Sequence, residues 1–205
     1  MSQFFQIHPE NPQVRLINQA VEIVRKGGVI IYPTDSCYAL GCHIGDKHAL
    51  ERITRIRRVD HKHNFTLMCS NLAEVGLYAK LDNPAFRLIK NVTPGAYTFI
   101  LNATSEVPRR LMHPKRKTIG LRIPDNAIAM ALLEALGEPL MTSTLVLPGE
   151  EWPMIDPYEM RDTLGSQVDL VIDGGYCGME PTTVVDLTGD EPEIIRTGKG
   201  DPAVL

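Results

Sequence analysis

Two short stretches concentrate the positive charge of this chain. Between positions 52 and 63 stand Arg52, Arg55, Arg57, Arg58 and Lys62, with Asp60 the only acid. Between 109 and 122 stand Arg109, Arg110, Lys115, Arg116, Lys117 and Arg122, with no acid. Guanidinium groups offer forked donors that match phosphate and carboxylate oxygens, so this crowding suits chemistry on anions. The acids gather elsewhere, at Glu150, Glu151, Asp156, Glu159 and Asp162. A net charge of −4 does not by itself point to nucleic acid, but segregated charge creates a local positive field on an acidic protein. The plainer reading of the same charges is a set of solvated helix faces and loops.

Other chemistries find less support. Cys37, Cys42, His43, His48, His61 and His63 invite a metal reading, but their spacing matches no zinc pattern, and no metal site is expected. Ser143 with a histidine and an aspartate would make a triad on paper, without the sequence of a nucleophile elbow. No glycine-rich phosphate loop is present. Thr197-Gly198-Lys199-Gly200 lacks the strand-to-helix context that such a loop needs and reads as a turn.

The elements that would position these residues are legible from periodicity. Asn11-Pro12 opens a helix with Val14, Ile17, Val21 and Val24 on one side, stopped by Gly27-Gly28. Val29 to Tyr32 reads as a buried strand, and Pro33 to Ser36 as a polar loop. Asp46 caps a second helix that buries Leu50, Ile53 and Ile56 and carries Arg52, Arg55 and Arg58 on another side. Further strands are expected over 65–69, 97–103, 118–123, 140–146, 168–173, 182–187 and 193–196, with helices from Pro84 and after Pro124-Asp125. Irregular alternation of strands and helices predicts an α/β fold with a twisted mixed sheet.

With 205 residues, 43% hydrophobic and 22% charged, the chain is expected to be one domain, core about 14–199, with a short exposed tail over 200–205. No apolar run approaches the ~18 residues of a membrane helix, and no secretory pattern opens the chain. Four scattered cysteines predict reduced thiols and a cytoplasmic location.

Six motifs then fall in a recognisable order. Pro33-Thr34-Asp35-Ser36-Cys37-Tyr38-Ala39-Leu40-Gly41 resembles the PTDTxYGLG signature of the YrdC/YciO family. Pro94-Gly95-Ala96-Tyr97-Thr98 is similar to its PGPxT, and Thr118 to Pro124 to its TxxxRxP. Thr142-Ser143 stands at the start of its Ser-x-Asn, Thr182 to Asp186 is similar to its STVVD, and Arg196 with Gly198 to its closing RxG. The wording Ser-Thr-Leu-Val-Leu-Pro-Gly-Glu is closest to the YciO branch. The resemblance spans about Val14 to Lys199.

It implies a single YrdC-like domain with flanking helices and a concave basic face. It also implies a chemistry, the formation of threonylcarbamoyl-AMP from ATP, threonine and bicarbonate for tRNA modification. By motif match, Arg57, Thr118, Ser143 and Arg196 would bind the nucleotide (ATP or AMP), with Arg57 and Ser143 in catalytic roles. Thr34, Arg122 and Thr182 would hold L-threonine. No tightly bound cofactor is implied, only Mg2+ carried by ATP. Arg52, Arg55, Arg58, Lys62, Arg109, Arg110, Lys115, Arg116 and Lys117 would bind double-stranded RNA or tRNA, the two basic segments forming one surface at the concavity.

The chain departs from the synthase pattern at two places. The Lys-x-Arg of the synthases aligns with Arg57-Arg58-Val59, and the Ser-x-Asn with Ser143-Thr144-Leu145. Replacing an amide by leucine removes a donor and an acceptor together. Activity that is weak or altered is therefore expected, and a non-catalytic RNA-binding protein is the alternative.

Overall fold

The computed structural model describes residues 1–60 and 62–205; His61 lies outside the described residues. In chain order the elements are β1 (Gln3–Gln6), α1 (Val14–Arg25), β2 (Ile30–Tyr32), β3 (Ala39–His43), α2 (Lys47–Arg57), β4 (Thr66–Met68) and α3 (Leu72–Tyr78). There follow α4 (Asn83–Val92), β5 (Tyr97–Asn102), β6 (Thr118–Arg122), α5 (Ala127–Leu136), β7 (Leu140–Thr144), α6 (Pro157–Leu164), β8 (Leu170–Asp173), β9 (Thr183–Asp186) and β10 (Glu193–Arg196). Among the described residues the strands form one ten-stranded sheet in the order β1-β8-β2-β3-β7-β4-β6-β5-β9-β10. Pairing is mixed: β4 runs parallel to β6, for example, and antiparallel to β7.

The two faces of this sheet are covered unequally. On one face, Leu67, Phe99, Leu121, Met141 and Val185 pack against Ile53 and Ile56 of α2, Val75 of α3, Ile89 of α4 and Met160 of α6. Each fully buried side chain of this size is worth ~1.5–3 kcal/mol. On the other face, α1 and α5 cover only the part around Ile30, Tyr32, Leu140, Leu170 and Ile172. Strand side chains alternate with period two, so the neighbours of the first set, Thr66, Thr98, Gly120, Arg122 and Thr142, lie on this second face. They stand outside the part that α1 and α5 cover and line an open cavity. The hydroxyl-rich alternation is therefore the sequence trace of an uncovered concave floor.

Several elements depart from the sequence expectations. The first helix starts at Val14 behind Gln13, not at Asn11-Pro12; the Gln13 side chain accepts from His8 N at 2.9 Å, and Val14 is exposed. Strands β1 and β3 and helices α3 and α6 were not anticipated. Strand β3 escapes because it is covered on both faces and carries no alternation. The C-terminal residues 200–205 are not a free tail. Gly200 is buried, Thr183 donates to its carbonyl, and Tyr97 Oη donates to Asp201 O at 3.0 Å.

Candidate functional site

The cavity measures about 460 Å³ and is walled by four kinds of group. Hydroxyls of Ser36, Thr98, Thr142 and Ser143 line its floor, and Ile100, Val184 and Ile195 supply an apolar side. Three guanidinium groups, those of Arg57, Arg122 and Arg196, converge on it from α2, β6 and β10. Glu151 is the one carboxylate in its lining among the described residues. In the floor itself, glycine at 120 allows close approach: a Cβ there would meet Thr66 Oγ1 at 2.7 Å.

Each arginine is held differently. Arg57 is the last residue of α2, and Arg58 closes that helix in the left-handed conformation at φ 51°. Arg57 Nη1 donates to Ser143 Oγ at 2.7 Å, and its Nε to Val146 O at 3.4 Å. Arg196 donates from Nε and Nη2 to Thr182 O at 3.0 and 2.8 Å, and Nη2 reaches Thr182 Oγ1 at 3.2 Å. Thr182 Oγ1 in turn shares a 2.7 Å hydrogen bond with Thr98 Oγ1. Burial lowers the pKa of both arginines, and the positive charge of Arg196 adds to this at Arg57. Unscreened guanidinium charge of this kind favours an anion between them.

Arg122 is only 5% exposed and forms an ion pair with Asp35, whose side chain is 7% exposed. Asp35 also accepts from Asp125 N at 2.9 Å, which fixes the carboxylate. Arg122 Nη1 donates to Ser36 Oγ at 3.3 Å, while its buried Nε has no protein partner. Arg122 therefore lines the cavity with much of its charge already met. His63 also lines the cavity; burial and the neighbouring Arg57 lower its pKa, against the opposing pull of Asp60, so it stands neutral there at pH 7. Burial pushes the Cys37 thiol up to about 11, which keeps it uncharged in the wall.

Five of the seven residues expected from the motifs meet in this one cavity: Arg57, Arg122, Ser143, Thr182 and Arg196. Thr34 and Thr118 do not line it. The Thr34 hydroxyl donates to Cys37 O at 2.6 Å and accepts from Ser36 N and Cys37 N at 3.1 and 3.2 Å. It shapes the loop and faces a neighbouring cavity with Asp35 and Lys199. Thr118 has its buried hydroxyl unpartnered on the strand that carries Arg122. Asp35 and Glu151 were missed. Asp35 stands inside a quoted motif, but sequence gives no sign that a loop acid will be buried against Arg122. Glu151 was counted among acids remote from the basic segments.

Most cations of the two basic segments lie outside the cavity lining. Among the described residues, the charged or titratable members of these segments that line the cavity are Arg57, His63 and Arg122. Arg52 pairs with Asp169 at 2.7 Å and donates to Gln167 O, bracing α2 against the chain before β8. Arg116 pairs with Asp186 at 2.6 Å, and Arg110 donates to Gly45 O at 2.5 Å. Val107 and Leu111 tie the second segment into the core of the opposite face. Arg55, Arg58, Lys62, Arg109, Lys115 and Lys117 remain exposed.

Leu145, where the resemblance implied asparagine, is fully buried in that same opposite-face core and takes no part in the cavity lining. Val59 follows the helix cap, its N–H bonded to Thr54 O at 3.2 Å. No helix among the described residues is long and apolar enough to cross a membrane, and no group of three or more metal-ligating side chains converges.

Comparison with known proteins agrees with this architecture. A family model named Sua5_yciO_yrdC and described as telomere recombination matches residues 22–198. The YciO protein of Escherichia coli (strain K12) is 66% identical over 201 residues, 98% of each chain. The E. coli YciO crystal structure superposes with a TM-score of 0.97 at 65% identity, covering 100% of this chain and 99% of that one. A threonylcarbamoyl-AMP synthase of Coxiella burnetii is 31% identical over 183 residues, 88% of this chain and 96% of that protein. The fold also matches Pyrococcus abyssi Sua5 crystallised with L-threonine, TM-score 0.88 at 24% identity, over 96% of this chain and 58% of that one. The chain belongs to the Sua5/YciO/YrdC family and is related to the threonylcarbamoyl-AMP synthases.

Proposed function

We propose that this family member binds an adenine nucleotide in the arginine-lined cavity and acts, weakly or with altered chemistry, on a threonylcarbamoyl-adenylate type of substrate. The observation that carries the reading is the convergence of Arg57 and Arg196 on a cavity with an apolar side. An apolar wall suits a base and paired guanidinium groups suit phosphoryl oxygens, so an amphiphilic anion satisfies both. Adenylate formation builds negative charge on leaving pyrophosphate, and oriented cations at that point stabilise the transition state. In this reading Arg57 and Arg196 take the phosphoryl group, and Ser143 orients Arg57 through their 2.7 Å hydrogen bond. Arg122, Thr98 and Thr182 form the end suited to the carboxylate and hydroxyl of L-threonine, with bicarbonate as the third reactant. Magnesium enters with the nucleotide, since a lone Glu151 makes no carboxylate cage.

Reduced turnover is supported by position 145. Leu145 is turned into the opposite-face core, so its side chain offers the cavity no donor. The test is calorimetric titration with AMP together with release of pyrophosphate dependent on threonine and bicarbonate. Nucleotide binding with release far slower than that of a full-motif synthase is expected. Absence of nucleotide binding at millimolar concentration would overturn the reading.

A second reading, binding of double-stranded RNA or tRNA, rests on the exposed Arg55, Arg58, Lys62, Arg109, Lys115 and Lys117. A-form RNA presents paired phosphate rows that a protein grips without reading sequence, with affinity falling steeply as salt rises. A cytoplasmic location is part of the same proposal.

A further inference from the structure

We propose that the outer edge of β1 is an interface for a second copy of this chain, the two β1 strands pairing antiparallel across a two-fold axis. The sheet ends on one side at β1, and no strand of the described residues lies beyond it. In a parallel ladder, alternate residues turn their backbone groups to the neighbouring strand. Gln3 N donates to Asp169 O and Ile7 N to Asp173 O, both at 2.9 Å, so Gln3, Phe5 and Ile7 face β8. Phe4 and Gln6 therefore turn their N–H and C=O groups outward. The flanking donors are already used: Ser2 N donates to Gly165 O at 3.0 Å, and His8 N to Gln13 Oε1 at 2.9 Å.

This short free edge is self-complementary. With Phe4 opposite Gln6 of the second copy, and Phe5 opposite Phe5 on the axis, every outward N–H and C=O of Phe4 and Gln6 finds a partner. A shifted register would set these groups against Ser2 or His8, whose N–H is taken. Phe5 packs on the α1 and α5 side of the sheet. Phe4 packs on the other, where its ring stacks on Tyr158 at 5.1 Å and Arg161 lies over both rings. The edge is thus ordered before a partner arrives, which lowers the entropy cost of pairing. Beside Gln3, Arg15, Asn18, Gln19 and Glu22 of α1 line an open groove. The axis runs the two α1 helices antiparallel and turns the Arg15 end of each toward the Glu22 end of the other, opposite charge to opposite charge. The far edge, β10, is built differently. A bulge breaks its register between Ile194 and Arg196, and Glu193 and Arg196 put charge at its ends. Bulges and charges keep sheet edges from pairing, and β1 has neither. No residue of β1 lines the arginine cavity, so pairing leaves it open.

The test is sedimentation velocity of the wild type, Gln6→Pro and Ile194→Lys over a concentration series, with non-reducing electrophoresis of Phe5→Cys and Gln3→Cys after treatment with oxidised glutathione. The Gln6 N–H faces away from β8, so proline there removes an outward donor and spares the β1–β8 ladder. The wild type forms a dimer that dissociates on dilution. Gln6→Pro raises its dissociation constant about tenfold or more, and Ile194→Lys leaves it unchanged. Phe5→Cys crosslinks across the axis, where a non-hydrogen-bonded pair holds its Cα atoms about 4.5 Å apart, within reach of a disulfide. Gln3→Cys, set off the axis, crosslinks far less. A monomer throughout the series, a dimer indifferent to Gln6→Pro, or equal crosslinking in the two cysteine variants would overturn the inference.

Discussion

The cavity arginines and the surface cations of this chain are the same residue types in opposite situations. Arg57, Arg122 and Arg196 are each fixed by side-chain or carbonyl acceptors and lie close enough for their charges to act on one another. Arg109, Lys115 and Lys117 stand exposed on a segment pinned through Val107 and Leu111 to the other side of the sheet. The first group is preorganised at a cost in desolvation, which is what a binding site requires. The second costs little to hold and commits to no geometry. Positive charge counted along the sequence does not separate the two; the acceptors around each guanidinium do.

The largest effect that would break this comparison is at Asp35. Asp35→Ala leaves Arg122 buried without its carboxylate, and breaking a buried pair in this way costs ~3–5 kcal/mol. Urea denaturation should show the loss. A change below ~1 kcal/mol would mean that the pair is solvated and Arg122 belongs with the surface cations.

A smaller effect is expected at Leu145. Leu145→Asn removes apolar contacts and buries an amide in the core, and a loss of about 3 kcal/mol is expected in the same measurement. It should not raise pyrophosphate release. A stable variant with higher turnover would show that position 145 reaches the cavity, and that the synthase pattern is restored by side chain alone.

Much of the fold was legible because most strands alternate and most helices are capped. Asp46 accepts from Ala49 N at 2.8 Å, as expected, and Leu50, Ile53 and Ile56 are buried. What escaped was structure without a local signal. Strand β3 has apolar surroundings on both sides, and residues 200–205 are held by Tyr97 and Thr183, more than a dozen positions away. At the site, Arg57, Ser143 and Arg196 were found by motif, and only three dimensions bring them together. Asp35 and Glu151 illustrate the converse. An acid's effect on a cavity depends on which cation it meets, and pairing across the sheet fixes that, not spacing along the chain.

The most direct measurement is a paired titration with AMP of Arg196→Ala and of the triple variant Arg110→Glu, Lys115→Glu, Lys117→Glu. Arg196→Ala should weaken AMP binding by about 1–3 kcal/mol, the scale of lost charge-assisted hydrogen bonds. The triple variant should bind AMP as the wild type does, because none of its three residues lines the cavity. Undiminished binding in Arg196→Ala, or loss of binding in the triple variant, would contradict the assignment of the nucleotide to this cavity.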